Sequence, residues 1–469
     1  MIFTSASFAI FFAFIYVALL LVRNDVARRW ILLGGSLFFY GFWNAWYLLL
    51  ILAVTLWSYL LGLYIADSQP EAQKRAGVTI GVILSLSALA IFKYSGFFAA
   101  NIAGLVGLKV PAFIANIVLP VGISFYTFHS ISYYVDVYRK QVPVARSLRD
   151  YALYIVFFPQ LVAGPIVRAS QFLPQLARPV LLTRENFAAG ARLFLVGAVQ
   201  KLLFADTVSP FVDQVFATPT LYSTSTDWLG VLGYALQIFG DFSGYTLMAI
   251  GIARILGYRL PDNFRMPYIS RSVSEFWQRW HITLSFFLRD YLYIPLGGNR
   301  RGFMRAQVNV MVTMLLGGLW HGSSWNFVIW GGIHGGAIVV HRLWERFLKP
   351  YFAVLRAPVF LSSALAWSIT FLVVILAWIP FRAVTFAKTM AMATQLFHPA
   401  SGISWHHIPT LVALSAAALW HVLHVLSARG RCVALVGERW MYVFEVSAMT
   451  TLLLLFAPTS TSPFIYFQF

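Results

Sequence analysis

The sequence is poor in charge and contains a single cysteine. Only 11% of its 469 residues are charged, where a soluble domain has roughly a quarter. Cys432 has no partner for an internal disulfide, and its surroundings match no metal or redox motif. With a mean hydropathy of +0.75, these shortages exclude a water-soluble enzyme, a disordered chain and a coiled coil.

Hydrophobic residues make up 60% of the chain and occur in long runs. At about 20 residues per span, this content allows at most about 14 membrane-spanning helices. The runs do not alternate as barrel strands do, so they predict an all-α polytopic membrane protein. The simplest division is one integral domain over residues 1–469. The runs lie near residues 8–22, 31–43, 48–65, 78–92, 113–135, 187–204, 229–252, 359–379, 408–425 and 440–456.

The net charge of +18 lies mainly in loops between these runs. Positive cytoplasmic loops held against an anionic leaflet explain it, so no nucleic-acid partner is predicted. Arg23, Arg28 and Arg29 follow the first run against a single Asp25. The positive-inside rule therefore predicts an extracytoplasmic N-terminus, and the first run is expected to be a retained span.

Two segments depart from the pattern of simple spans. Residues 151–168 contain Pro159 and a Gly-Pro pair, which suits either a re-entrant segment or a kinked span. Residues 254–305 hold nine arginines against three acidic residues, a net of +6. Their interleaved aromatics indicate an interfacial amphipathic helix, although such a surface also suits an anionic activated donor. These aromatics are Phe276, Trp277, Trp280, Phe286, Phe287 and Tyr291.

A third segment, residues 308–340, carries a histidine between two apolar runs of about 13 residues. Each run would reach only about 20 Å, short of a hydrocarbon core of about 30 Å. The sequence therefore predicts a hairpin with His321 at its tip inside the membrane. An ionisable side chain there suggests a function, whereas the alternative is a neutral imidazole bonded inside the bundle. Histidine suits proton abstraction because its ordinary pKa of about 6.5 lies near working pH.

Other polar residues in apolar surroundings allow the same two interpretations, a functional and a structural one. Asp241 either orients a catalytic group or forms a structural ion pair. His129 and His334 are expected to be hydrogen-bonded core residues. No histidine spacing matches a metal site, and no metal is predicted.

Several motifs in the middle of the chain together resemble the membrane-bound O-acyltransferase family, and most closely its bacterial alginate O-acetyltransferase branch. They cover about residues 120–335. Leu247 departs from the alginate branch and is more similar to the D-alanine-transferring branch. The motifs are PVGISFYTF (120–128), FFPQLVAGPI (157–166), DFSGY (241–245), PYISRSVSEFWQRWHITLS (267–285), LRDYLYIPLGGNR (288–300) and TMLLGGLWHG (313–322).

The resemblance implies a ring of transmembrane helices with re-entrant segments and a central tunnel. It also implies that His321 is catalytic, with His281 as the second histidine of the site. Residues in these motifs are expected to bind the substrate or donor: Asp241, Arg279, Arg289, Asn299, Arg300 and Trp320.

The implied reaction moves an acyl group, expected to be acetyl, from a cytoplasmic thioester to an extracytoplasmic polysaccharide. Acetyl-coenzyme A is the expected donor substrate, and no bound cofactor is expected. The implied partner is an extracytoplasmic protein with a serine esterase-like domain, and the implied location is the bacterial inner membrane. The alternatives are D-alanyl or other acyl transfer to an envelope polymer, and an exporter or flippase for a lipid-linked sugar.

Overall fold

The computed structural model describes residues 1–68, 70–162, 164–352, 358–428, 438–458 and 464–465. Cys432 lies outside these residues. Internal contacts divide the chain into two compact units. Unit 1 comprises Met1–Phe194 and Tyr245–Asp262, and unit 2 comprises Leu195–Gly244 and Asn263–Phe469.

The described chain is mainly helical, as predicted. Its extended pairing is limited, in the ranges given above, to one bridge between Tyr222 and Ile403. The first ten helices belong to unit 1: α1 (Ala6–Leu21), α2 (Asp25–Gly41), α3 (Ala45–Asp67), α4 (Glu71–Leu89), α5 (Ser95–Val106), α6 (Ala112–Ala115), α7 (Ile123–Tyr138), α8 (Leu148–Val156), α9 (Phe158–Leu161) and α10 (Ala169–Leu176).

The later helices lie mainly in unit 2, although α11 and α13 contribute residues to both units. They are α11 (Arg184–Val199), α12 (Thr207–Ala217), α13 (Thr224–Ile255), α14 (Val273–Arg279), α15 (Ile282–Leu288), α16 (Phe303–His321), α17 (Trp325–Leu343), α18 (Lys349–Phe352), α19 (Val359–Arg382), α20 (Phe386–Phe397), α21 (Ile408–Ala428) and α22 (Glu438–Phe456).

Four helical segments in the described part of the chain are long and apolar enough to cross a membrane. They are Ala45–Asp67, Glu71–Val106, Arg184–Ala217 and Val359–Arg382. The second and third join two helices through π-helical turns at Ala90–Tyr94 and Gln200–Asp206. Shorter apolar helices include Ala6–Leu21.

Unit 1 contains the predicted break near Pro159. α8 ends at Val156, α9 is a single turn, and the residues described between α9 and α10 form no helix. The apolar run over 113–135 is not one helix, because it divides into α6 and α7 on either side of Pro120. His129 is a buried core group, as expected, and its Nε2 accepts the backbone N–H of Val167 at 3.3 Å.

In unit 2, α16 and α17 form the predicted hairpin, but the predicted lengths are wrong. Each helix has 19 residues, or about 28 Å, because polar residues beyond both apolar runs continue the helices. The two backbones approach closely at Gly331, where a Cβ would collide with the carbonyl oxygen of Met314. The position of His321 at the turn is confirmed, whereas its depth no longer follows from helix length.

The expectation of one interfacial helix near residue 280 is also wrong. The segment forms two seven-residue helices, α14 and α15, and Trp280 between them is 1% exposed. Four of the six aromatics named above are buried in unit 2: Phe276, Trp277, Trp280 and Phe287. They pack against protein because α14 and α15 are too short to present one continuous apolar face.

Candidate active site

His321 is the last residue of α16 and lies at the centre of an aromatic cluster in unit 2. Only 3% of it is exposed. Its ring centroid lies 4.8 Å from that of Trp330, 4.9 Å from Trp320 and 5.3 Å from Phe381. These rings exclude water from the imidazole on several sides.

His281 is completely buried between α14 and α15. Its φ of 43° is unusual for a residue with a side chain. Its Nδ1 lies 3.1 Å from Oδ1 of Asn263, which also accepts the backbone N–H and the hydroxyl of Thr283. Since that oxygen is an acceptor, Nδ1 of His281 carries the proton and donates it. Nε2 therefore carries the lone pair.

The structure brings the two predicted histidines together. Their ring centroids lie 6.4 Å apart in an edge-on arrangement, and Trp320 contacts both rings. Burial lowers the pKa of His281 to about 3, and this residue lies outside the four candidate spans. His281 is therefore a neutral base at physiological pH.

A cavity of about 340 Å³ lies along the same hairpin. Two predicted residues, Arg289 and Asn299, line it together with Arg342 and Tyr293. The Tyr293 hydroxyl donates to Oδ1 of Asn299 at 2.6 Å. The remaining lining residues are Ser274, Trp277, Gln278, Ser285, Leu288, Val310, Thr313, Met314 and Ile338.

The cavity and the histidine are connected by α17. Arg342 and Ile338 line the cavity, and Trp330, which contacts His321, lies on the same stripe of the helix. Residues four apart share a helix face, so this stripe runs from Arg342 to the ring that contacts His321. The twelve residues from Trp330 to Arg342 correspond to about 18 Å.

Four of the six predicted binding residues do not line this cavity, namely Asp241, Trp320, Arg279 and Arg300. Arg279 pairs with Glu275 at 2.9 Å and donates to the backbone oxygen of Arg265. Arg300 is exposed next to Asn299. Their roles in binding stay predictions.

Asp241 takes part in a buried ion-pair cluster. Its Oδ1 lies 2.6 Å from Nζ of Lys201, which also lies 2.7 Å from Oδ1 of Asp206. The other oxygen of Asp241 accepts the backbone N–H of Ile465 at 2.6 Å. Of the two interpretations left open by the sequence, these contacts favour a structural ion pair, with lysine as the partner.

Comparison with known proteins agrees with this geometry. Residues 36–381 match the model of the membrane-bound O-acyltransferase (MBOAT) family. The chain belongs to this family. As an MBOAT protein it is an O-acyltransferase and a multi-pass membrane protein, which confirms the resemblance read from the motifs.

The similar MBOAT proteins act on cell-envelope polymers, according to their names. "Probable alginate O-acetylase AlgI" of Pseudomonas syringae pv. tomato is 40% identical over 388 residues, 81% of this chain and 72% of that protein. "Peptidoglycan O-acetyltransferase" of Helicobacter pylori is 38% identical, covering 76% and 71%. "Teichoic acid D-alanyltransferase" of Bacillus subtilis is 27% identical, covering 50% and 62%.

Sequence reasoning missed three residues of the site. Arg342 has no place in the sequence prediction, although its four-residue spacing through Ile338 and His334 to Trp330 is a usable signal. Trp277 was assigned to an interfacial helix. Asn263 had no signal at all, because it lies 18 residues before the histidine that it orients.

Proposed function

We propose that this MBOAT protein transfers an acetyl group from cytoplasmic acetyl-coenzyme A for O-acetylation of an extracytoplasmic polysaccharide, alginate or a related exopolysaccharide. One observation carries the proposal. His321, at the turn between α16 and α17, forms a buried pair with His281, and an arginine-lined cavity extends along the same hairpin. The names of the two acetyltransferase relatives support an acetyl group and an envelope polysaccharide acceptor.

The cavity has the chemistry that such a donor needs. Coenzyme A joins a narrow thioester arm to phosphate groups. A guanidinium group can donate two parallel hydrogen bonds to two oxygens of one phosphate. Arg342 has no carboxylate partner among the described residues, whereas Arg289 is paired with Asp290 at 2.6 Å. We therefore expect Arg342 to contribute more to phosphate binding than Arg289.

In the proposed step, His321 accepts the proton of an acceptor hydroxyl as the hydroxyl oxygen attacks the thioester carbonyl carbon. The new ester C–O bond forms and the C–S bond breaks. The leaving thiolate then takes the proton from the imidazolium. General-base catalysis of this kind contributes a factor of about 10² to 10⁴ in rate.

His281 is proposed to hold His321 in its catalytic orientation. Polarising a carbonyl oxygen requires a donor, but the proton of neutral His281 is already donated to Asn263 from Nδ1. Its Nε2 lone pair is suited to accept a hydrogen bond from a neighbouring donor. The pKa of about 3 keeps that lone pair available.

D-alanyl transfer is the alternative supported by a specific observation. A teichoic acid D-alanyltransferase is among the similar proteins, but its match covers 50% of this chain against 81% for the alginate O-acetylase. The broader coverage favours acetyl transfer. An exporter or flippase for a lipid-linked sugar has no comparable support.

The proposal includes a location and a partner. The enzyme lies in the bacterial inner membrane with its N-terminus outside, as the arginines after the first helix suggest. The polymer is acetylated through an extracytoplasmic protein with a serine esterase-like domain. Arg279 and Arg300 are proposed to attract the anionic donor at the cytoplasmic side, outside the cavity.

Inverted membrane vesicles supplied with labelled acetyl-coenzyme A test the proposal. We expect the wild type to consume the label and His321→Ala to slow consumption by about 10² to 10⁴, with unchanged membrane insertion. The matched control is His406→Ala, since His406 is exposed in a loop. Consumption by His321→Ala at the wild-type rate would contradict the catalytic assignment. Consumption only of a D-alanyl thioester would favour the alternative.

A further inference from the structure

Trp277 belongs to both the donor cavity and the aromatic cluster around the catalytic histidine. Its indole lines the cavity and lies 5.6 Å, between ring centroids, from Trp330. Trp330 in turn lies 4.8 Å from His321. Three rings in contact thus connect the cavity wall to the imidazole.

A histidine with no assigned role holds this indole. The Nε1–H of Trp277 donates to Nδ1 of His334 at 3.3 Å. Indole N–H is only a donor, so Nδ1 of His334 is unprotonated and the proton lies on Nε2. His334 is fully buried, and its ring lies 4.8 Å from that of Trp330. This bond is the polar contact that fixes the orientation of the indole.

Close packing surrounds this indole. α16 and α17 touch at Gly331, where even a methyl group would meet the Met314 carbonyl. Trp277 lies on α14, is only 7% exposed and packs edge-on against Trp330. Ring packing and the bond to His334 together hold the indole in place.

We propose that His334 is a positioning residue that holds the Trp277 indole as the inner wall of the donor cavity. The indole closes this wall and keeps water away from the thioester of the bound donor. This inference rests on the proposed function, because it requires the donor to occupy this cavity.

We expect loss of the hydrogen bond between Trp277 and His334 to cause a specific side reaction. When the Trp277 indole no longer closes the cavity, water takes the place of the acceptor hydroxyl and attacks the thioester carbonyl carbon. The C–S bond breaks, and the products are acetic acid and the free thiol of coenzyme A. His321 accepts the proton from water and returns it to the thiolate, so the reaction needs no further reactant.

Three variants test the role of His334. His334→Leu removes the acceptor, and Trp277→Phe removes the donor but keeps an aromatic ring. His334→Asn retains an acceptor, because Oδ1 of asparagine and Nδ1 of histidine are both attached to Cγ. Inverted vesicles with acetyl-coenzyme A and polymer acceptor report free acetate and polymer-bound acetate separately.

We expect the ratio of free to transferred acetate to rise about fivefold in His334→Leu and in Trp277→Phe, which is the rate equivalent of one net hydrogen bond. His334→Asn should stay near the wild-type ratio, and the double variant His334→Leu/Trp277→Phe should not exceed either single variant. An unchanged ratio in Trp277→Phe overturns the inference even if His334→Leu fails to fold. A wild type that consumes no acetyl-coenzyme A overturns the proposed function instead.

Discussion

Replacing Lys201 by methionine should be among the most destabilising single changes in unit 2. The lysine Nζ lies 2.7 Å and 2.6 Å from carboxylate oxygens of Asp206 and Asp241, and no more than 4% of any of the three side chains is exposed. Removing one partner of a buried pair costs about 3–5 kcal/mol, because the other charge is left uncompensated. Here one substitution leaves two carboxylates without their cation.

The matched control changes charge in the opposite direction. Asp241→Asn leaves Lys201 balanced by Asp206, and the amide oxygen still accepts the N–H of Ile465. We expect this variant to lose about 1 kcal/mol, the net value of one hydrogen bond. Its activity also tests whether Asp241 has the predicted role in binding, since such a role requires a loss of activity larger than the loss of stability explains.

Denaturant titration in detergent micelles measures the free energy of unfolding of each variant. The expected order of destabilisation is Lys201→Met well above Asp241→Asn. A Lys201→Met protein that unfolds at the wild-type midpoint would refute the reasoning, as would an Asp241→Asn protein that is the less stable of the two.

Three further outcomes are expected. Gly331→Ala should lower the free energy of unfolding in detergent by about 1–3 kcal/mol through overpacking, whereas Gly336→Ala, with open space around its Cβ, should be neutral or slightly stabilising; equal effects would argue against the helix contact. Asn263→Ala should reduce polymer acetylation more than Asn263→Asp, which keeps the acceptor oxygen; the reverse order would contradict the tautomer assignment. Arg342→Met should raise the KM for acetyl-coenzyme A in vesicles more than Arg289→Met does. Equal KM values would argue against a larger contribution of Arg342 to phosphate binding.

The sequence predicted the fold class well because membrane burial imposes long apolar runs that are visible without any structure. It predicted helix ends less well. The hairpin helices extend past their apolar runs, since residues such as Arg305 and His341 favour a helix as readily as apolar ones do. The run over 113–135 divides because Pro120 cannot continue a helix, a local signal that hydropathy alone conceals.

Site residues that lie within a recognisable sequence motif could be predicted. Those that depend on contacts between distant segments could not. His321 and His281 were found by motif and placed together by the fold. Lys201 could not be paired with Asp241 from sequence, since 40 residues separate them and a lysine within an apolar run carries no sign of its partner. The aromatics near residue 280 have the composition of an interfacial helix, and only their packing distinguishes a buried cluster from it.

The close contact of α16 and α17 limits how this enzyme could be adapted to larger acyl groups. The contact at Gly331 sets the spacing of the two backbones, because it already leaves no space for a methyl group. Space for a larger acyl group beside His321 must therefore come from smaller side chains in place of the rings that contact it, such as Trp330 and Phe381. The size of the acyl group that fits is thereby set by a few aromatic side chains, while the spacing of α16 and α17 stays fixed.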